Sequence, residues 1–319
     1  MGRRWLACAC IAKPACACIA TPECACIALQ GFAIKSLSPV VRAMLWMALG
    51  GFTLSAMNAV MRELTTELPP TFAQCMRYVF GLAVMLPFLV KNGLGHYKPN
   101  RLNAHLVRGL FHAGALTLFF LALPQIPLTD TTAIMFTQPM FVMIGAALIL
   151  REVVSRDRWL AAMLGFAGVA LVLVPHMKAE TGVWSLVMLA ASPLFAASFL
   201  INKALTRHDR ADVIVLWQNI TVTAYMIPLA LPYWTSPDLR QWLLLAACGL
   251  LGTLAHVFMT RGFAMADISV LQPFRFLDLL WASLFGFFMF GALPSETALI
   301  GGVIIVSATL WIAHREKRK

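Results

Sequence analysis

Charge is what this sequence has least of. Asp, Glu, Lys and Arg make up 12% of its 319 residues, while 60% are hydrophobic. Soluble domains carry about 25% charged and about 45–50% apolar residues. This chain cannot coat a globule of its size in water, so lipid is the solvent for most of its surface. Acids are scarcest, with 14 Asp and Glu against 25 Lys and Arg. No acidic cluster offers a seat for Mg²⁺. H-E-x-x-H, G-x-S-x-G and the P-loop pattern are also missing, which removes the usual grounds for metal-assisted hydrolysis, acyl transfer or direct drive by ATP. No catalytic residue, metal or cofactor is therefore expected. The net charge of +11 would suit nucleic acid. The Lys and Arg, however, fall in short gaps between apolar runs, as topology signals do, so no nucleic-acid partner is expected.

What is present in quantity is apolar runs. A helix needs about 20 largely apolar residues to cross the hydrocarbon. Ten such runs can be read: Ala43–Met61, Thr71–Val90, Leu102–Leu123, Thr131–Leu150, Trp159–Val174, Val183–Ile201, Val213–Leu231, Leu239–Thr260, Ile268–Phe290 and Thr297–Ala313. They lack the alternation of barrel strands, and backbone groups in lipid must bond within their own segment. The expected fold is an all-α polytopic membrane protein of ten transmembrane helices. With ten spans, 19 of the Lys and Arg residues fall on the side of the two termini, three on the other side (Arg62, Lys178 and Arg240), and three inside spans (Arg77, Arg108 and Arg275). That asymmetry predicts a multi-pass protein of a bacterial inner membrane with both termini in the cytoplasm.

The two halves repeat. A shift of 140 residues lays spans three to five on spans eight to ten, with Gly109-Leu110 on Gly249-Leu250, Ala115 on Ala255, and the Leu150 helix end on Phe290. Five spans is an odd number, so the second copy enters the membrane upside down. Inverted repeats are a recurring carrier design, with the substrate held between them near the midplane. The expected division is a tail over 1–40, a first repeat over 41–176, a second over 177–314, and a basic cytoplasmic tail over 315–319. The first tail contains an eight-residue repeat, ACACIAKP, ACACIATP, ECACIA, holding six of the eight cysteines (Cys8, Cys10, Cys16, Cys18, Cys24 and Cys26). Thiolates in this spacing could bind a soft metal. No His accompanies them, and Lys13, Pro14, Pro22 and Glu23 interrupt the stretch. The favoured reading is a disordered tail, or a translated tandem DNA repeat ahead of a start at Met44.

Three stretches carry a family likeness. The first is Pro69-Pro70-Thr71-Phe72 followed by Arg77. The second runs from Ala122-Leu123 through Pro127-Leu128-Thr129-Asp130 and Gln138-Pro139 to Leu148-Ile149-Leu150-Arg151-Glu152 and Arg158-Trp159. The third is Gly291-Ala292-Leu293-Pro294 with Gly301-Gly302. In order, spacing and duplication, residues 40–314 resemble the EamA family of the drug/metabolite transporter superfamily. The resemblance implies ten helices in two inverted five-helix repeats, alternating access, and a small-molecule substrate such as an amino acid, vitamin or nucleotide-like metabolite. The family's Gly-Glu at the ends of spans four and nine is here Arg151-Glu152 and Gly291-Ala292. A further likeness, through Gln272-Pro273-Phe274-Arg275-Phe276 and Leu280-Trp281-Ala282, is to members moving riboflavin or S-adenosylmethionine.

Ionisable groups inside spans are expensive, about 2.5–3.5 kcal/mol each on insertion scales, and persist where they pair, line water or bind something. Gln272, Arg275 and Asp278 step by three along span nine and so share a helix face. Arg275 and Asp278 can pair, or Arg275 can clamp a carboxylate or phosphate while Asp278 takes a proton or an amine. Trp281, three residues on, can stack a flat solute. Asn58 on span one and Gln218 on span seven are further substrate-binding candidates. His112 can titrate near neutral pH and serve a coupling proton, or pack as a neutral ring. Arg77, at a place the resemblance makes common whatever the substrate, is assigned a structural or gating role. Arg108 either joins that role or snorkels toward water. Pro139 in span four, with Pro193 and Pro273, offers compliance to a rocking carrier.

These readings point to a secondary transporter of an amino-acid-, vitamin- or nucleoside-like metabolite, working by alternating access in a lipid bilayer. The alternatives are a passive channel, a subunit of a membrane complex, and, with least support, an intramembrane enzyme.

Overall fold

A computed structural model describes residues 37–126, 131, 134–173, 182–291 and 296–317, and every contact below lies within the compact unit Ser38–Lys319. The cysteine repeat and the Pro127–Asp130 stretch lie outside the described residues. The described residues are helical, with no strand among them. In chain order the helices are α1 (Pro39–Leu64), α2 (Pro70–Asn92), α3 (Leu102–Ala122), α4 (Gln138–Leu148), α5 (Arg156–Leu173), α6 (Gly182–Leu205), α7 (Ala211–Ala230), α8 (Leu239–Met265), α9 (Ile268–Arg275), α10 (Leu277–Phe290) and α11 (Glu296–Lys317).

Local chemistry sets several of the ends. Ser38 caps α1 by accepting from the Val41 N–H, and Pro39 sits at the first position, where its missing N–H is no loss. Asp238 and Gln241 form a reciprocal capping box at α8. Gly291 closes α10 in the left-handed region at φ 65°. Arg151, 140 residues earlier and just past α4, takes the same conformation at φ 56°, where a side chain is strained.

Eight helical segments, α1, α2, α3, α6, α7, α8, the α9–α10 pair and α11, are long and apolar enough to cross a membrane. The other two expected spans differ from the sequence reading. Over Thr131–Leu150 the described residues turn at Phe136–Thr137, and the regular helix runs only from Gln138 to Leu148. Eleven residues of helix span about 16 Å, short of a hydrocarbon core of about 30 Å. Helix α5 has 18 residues, but Arg156, Asp157 and Arg158 occupy its first turn. Helix α11 runs on into the basic C-terminal residues as far as Lys317.

Small residues bring helices together, since lipid gives no hydrophobic drive between them. Helices α1 and α8 meet where Gly50 faces Met259 and the Ala255 carbonyl, and where Gly262 faces the Ala43 carbonyl. Gly109 of α3 packs against Thr221 of α7, and Gly249 of α8, its match under the 140-residue shift, packs against Phe80 of α2. One apolar cluster, including Ala43, Met47, Phe263 and Ile312, fills the end where α1 begins. Another, including Met57, Leu64, Phe72 and Val222, fills the end where α1 finishes.

Candidate functional site

Between these clusters lies a cavity of about 510 Å³. Its polar wall comes from α1 (Ser55, Asn58), α2 (Gln74, Arg77), α3 (His112), α8 (His256) and the α9–α10 pair (Arg275, Asp278). Its apolar wall includes Phe119, Phe120, Phe195 and Phe199. Lining residues Arg62 and Asn58 are exposed, so the cavity reaches the surface at the end where α1 finishes.

The ninth apolar run is not one rod. Pro273 lies inside α9, and the helix breaks at Phe276 before α10 begins. Arg275 is therefore the last residue of α9 and Asp278 lies in the first turn of α10. Each charge sits at the helix end whose dipole favours it. Across the break the Arg275 guanidinium pairs with the Asp278 carboxylate at 3.2 Å, with side chains 13% and 17% exposed. Arg275 also faces the Phe199 ring at 5.7 Å. Gly51 of α1 lies directly against the Asp278 carboxylate, where a methyl group would overlap it.

A polar chain runs beside the cavity. His112 Nε2 lies 2.7 Å from the Tyr78 hydroxyl, and His112 Nδ1 lies 3.2 Å from Ser198 Oγ. The rings of His112 and His256 cross edge to face with centroids 5.8 Å apart. Gln218 reaches His256 at 3.2 Å and accepts from Arg108 Nη2 at 2.6 Å. Arg108 also donates to the Ile214 carbonyl and is 1% exposed. Its side chain crosses to α7 and does not snorkel to water, because the partners of its guanidinium lie in the core.

Of the seven sequence-derived substrate candidates, Arg275, Asp278, Asn58 and His112 line the cavity. Three do not. The Gln272 amide folds back on the Ile268 carbonyl of its own helix. Gln218 is buried between Arg108 and His256. Trp281 packs edge to face on Phe52, and its buried indole N–H has no hydrogen-bond partner among the described residues. Arg77 lines the cavity, while Arg108 stands behind it. Pro139 also lines the cavity, in the first turn of α4, where a proline starts a helix instead of bending one. The sequence reading does not single out Gln74, Tyr78, Ser198 or Gly51. Gln74 was legible as the i−3 neighbour of Arg77. Gly51 carries no signal, since glycine is common in membrane helices.

The opposite end is sealed by polar contacts. Glu152, just past α4, caps α9 from outside by accepting from the Ile268 and Ser269 N–H groups at 3.0 and 3.1 Å and from Ser269 Oγ at 2.8 Å. Arg158 of α5 donates to Glu316 of α11, Asp267, Ser269 and the Val153 carbonyl. Lys203 of α6 donates to the Phe263 and Ala266 carbonyls at 2.6 Å each. Beside this node His105 lies 2.9 Å from Asp209, which also accepts from Asn100. Burial pushes the Asp209 carboxyl up, but the hydrogen bonds from His105 and Asn100 outweigh it and hold the group below the usual carboxylate range.

Comparison with known proteins agrees with this architecture. Residues 41–174 and 182–313 each match the EamA-like transporter family. A Rickettsia bellii protein named as an S-adenosylmethionine uptake transporter is 30% identical over 273 residues, which cover 86% of this chain and 94% of that protein. A riboflavin transporter of Rhizobium johnstonii is 33% identical over 290 residues, 90% of this chain and 95% of its own. A pseudopaline exporter of Pseudomonas aeruginosa is 27% identical over 84% of this chain and 95% of that protein. A solved crystal structure at 19% identity superposes with a TM-score of 0.74 over 86% of this chain and 97% of its own, a likeness of fold.

Proposed function

The chain belongs to the EamA-like transporter family, and we propose that it is a secondary carrier of a small organic metabolite, amino-acid-, vitamin- or nucleoside-like, working by alternating access. The observation that carries this reading is the central cavity. It joins charged, amide, imidazole and aromatic walls, reaches the surface at one end, and is closed at the other by the Glu152, Arg158 and Lys203 contacts. A carrier needs a site that faces one side at a time, and a pore open at both ends would leak. The ten-span, inverted-repeat arrangement with repeats over 41–176 and 177–314 is part of the proposal. It is supported by the left-handed residues Arg151 and Gly291 at matched positions, and by the matched glycines 109 and 249, each packed on the second helix of the other half. The charge asymmetry supports an inner-membrane protein with both termini, and the sealed end, in the cytoplasm.

In the proposed site Arg275, Asp278, Asn58 and His112 contact the solute. Gln272, Gln218 and Trp281 stand behind them and support the wall. Arg108 and Pro139 serve structure or gating. The named relatives supply the first probes, S-adenosylmethionine and riboflavin. Purified protein in liposomes loaded with unlabelled probe is expected to take up the labelled probe faster than unloaded vesicles do. Saturable counterflow of either supports a carrier. Linear, non-saturating flux would make the protein a passive channel, and covalent change of the probe would make it an enzyme.

A further inference from the structure

The fixed charges on the inner wall of the cavity do not cancel. Arg275 and Asp278 neutralise one another. Arg77 faces the same cavity and is 5% exposed, yet none of its partners is a carboxylate. Its Nε donates to Gln74 Oε1 at 2.8 Å, Nη1 points at the Met57 sulfur at 3.4 Å, and the guanidinium lies 3.9 Å from the Tyr78 ring centroid. All three partners are neutral. Among the described residues Nη2 has no hydrogen-bond partner, and it is not enclosed by protein.

The other core arginines show what structural use looks like. Arg158 is surrounded by acceptors, two of them carboxylates. Arg108 is packed behind the cavity against a carbonyl and an amide oxygen. Among the described core arginines, Arg77 turns a half-satisfied fork toward the cavity without a carboxylate partner. A buried cation without a counter-charge is costly, and the planar guanidinium fork matches carboxylate and phosphate oxygens two at a time. The cavity is also lined by the aromatic rings of Phe119, Phe120, Phe195 and Phe199. We propose that Arg77 is the anion-binding residue of the cavity, and that the transported solute presents a carboxylate or phosphate to it on a flat, apolar body. This rests on the carrier reading above and narrows its substrate class. Arg275 is not the anion site, because Asp278 already occupies it.

The test is thermal unfolding of the full-length protein in detergent with matched probes at millimolar concentration: nicotinate and nicotinamide, indole-3-acetate and indole-3-acetamide, adenosine 5′-monophosphate and adenosine. Phosphatidylglycerol is added in a separate arm to distinguish a lipid headgroup from a soluble acid. At least one acid is expected to raise the unfolding midpoint while its neutral partner does not, and the lipid is expected not to mimic it. The acid-selective shift disappears in Arg77→Gln, whose ligand-free midpoint is equal to or above that of the wild type. In Gly252→Ala the new methyl group meets Nη1 at 2.6 Å, so the charge stays but the shift shrinks. Equal shifts for acid and neutral partners, no shift with any acid, a shift reproduced by the lipid alone, or an acid-selective shift that survives in Arg77→Gln would each overturn the proposal. So would a fall in the ligand-free midpoint of Arg77→Gln. Counterflow of a neutral solute with no acid selectivity would leave the carrier reading standing and remove this one.

Discussion

Adjacent glycines on α1 separate packing from charge. At Gly50 a methyl group would meet the Met259 side chain at 2.7 Å and the Ala255 carbonyl and Met259 N–H at 3.3 Å. Backbone cannot give way there, so Gly50→Ala overpacks the α1–α8 contact, at about 1–3 kcal/mol. At Gly51 the atom in the way is the Asp278 carboxylate oxygen, the far end of a flexible side chain, with the Trp281 ring a comfortable 3.8 Å off. Gly51→Ala therefore leaves the helices in place and pushes the carboxylate off Arg275. An ion pair between partly exposed side chains contributes up to about 1 kcal/mol. If the pair holds one face of the solute site, the loss appears as about a fivefold rise in KM. The assay is liposome uptake with thermal unfolding of the same preparations. Gly50→Ala is expected to lose several degrees of midpoint at nearly unchanged KM, and Gly51→Ala the reverse. Equal midpoint losses in both variants, with KM unmoved in Gly51→Ala, would refute the argument.

Arg158→Ala removes a buried cation that bonds Glu316, Asp267 and Ser269, and is expected to destabilise by about 3 kcal/mol. The double variant with Glu316→Ala should recover part of that loss, which a double-mutant cycle of unfolding free energies measures. Asp209 has a depressed pKa in the folded state, so the stability it contributes is present above the ordinary carboxylate range and disappears as pH falls through the folded value. Asp209→Asn should lower the unfolding midpoint at pH 7, and the gap to the wild type should close as the solution is acidified below the usual carboxylate range. Gly291→Ala puts a side chain at φ 65° and should cost about 1 kcal/mol. Arg151→Gly relieves the same strain and should raise the midpoint slightly.

Hydrophobic length made most of the helices legible, because lipid imposes a twenty-residue apolar rule that soluble cores do not. It failed where the chain turns at Phe136–Thr137 inside an unbroken apolar run. Pro139, which cannot continue a helix from the preceding turn but readily starts one, was the local signal for that break. Spacing by three foretold the Arg275–Asp278 pair, yet the same spacing misread Gln272, whose amide has a nearer acceptor on its own backbone. Pro273 was visible as a weak point, but the break falls three residues later, where Arg275 and Asp278 are each best placed by the helix ends. Gln218, His256 and Arg108 come from three helices far apart in the chain, and one-dimensional spacing cannot bring them together. Arg77 was legible as important but not as half-satisfied, since that depends on Met57 and Gln74 being its neighbours.

The break at Phe276 leaves two short rods whose abutting tips carry opposite signs. Any flexing at that joint alters the distance between the tips, and a guest resting against them then feels a different field. The rod bearing Arg275 is also held at its far tip by Glu152, so loosening the seal frees the joint to flex. In the proposed carrier, grip on the guest and release of the seal would then be coupled through eight residues of helix.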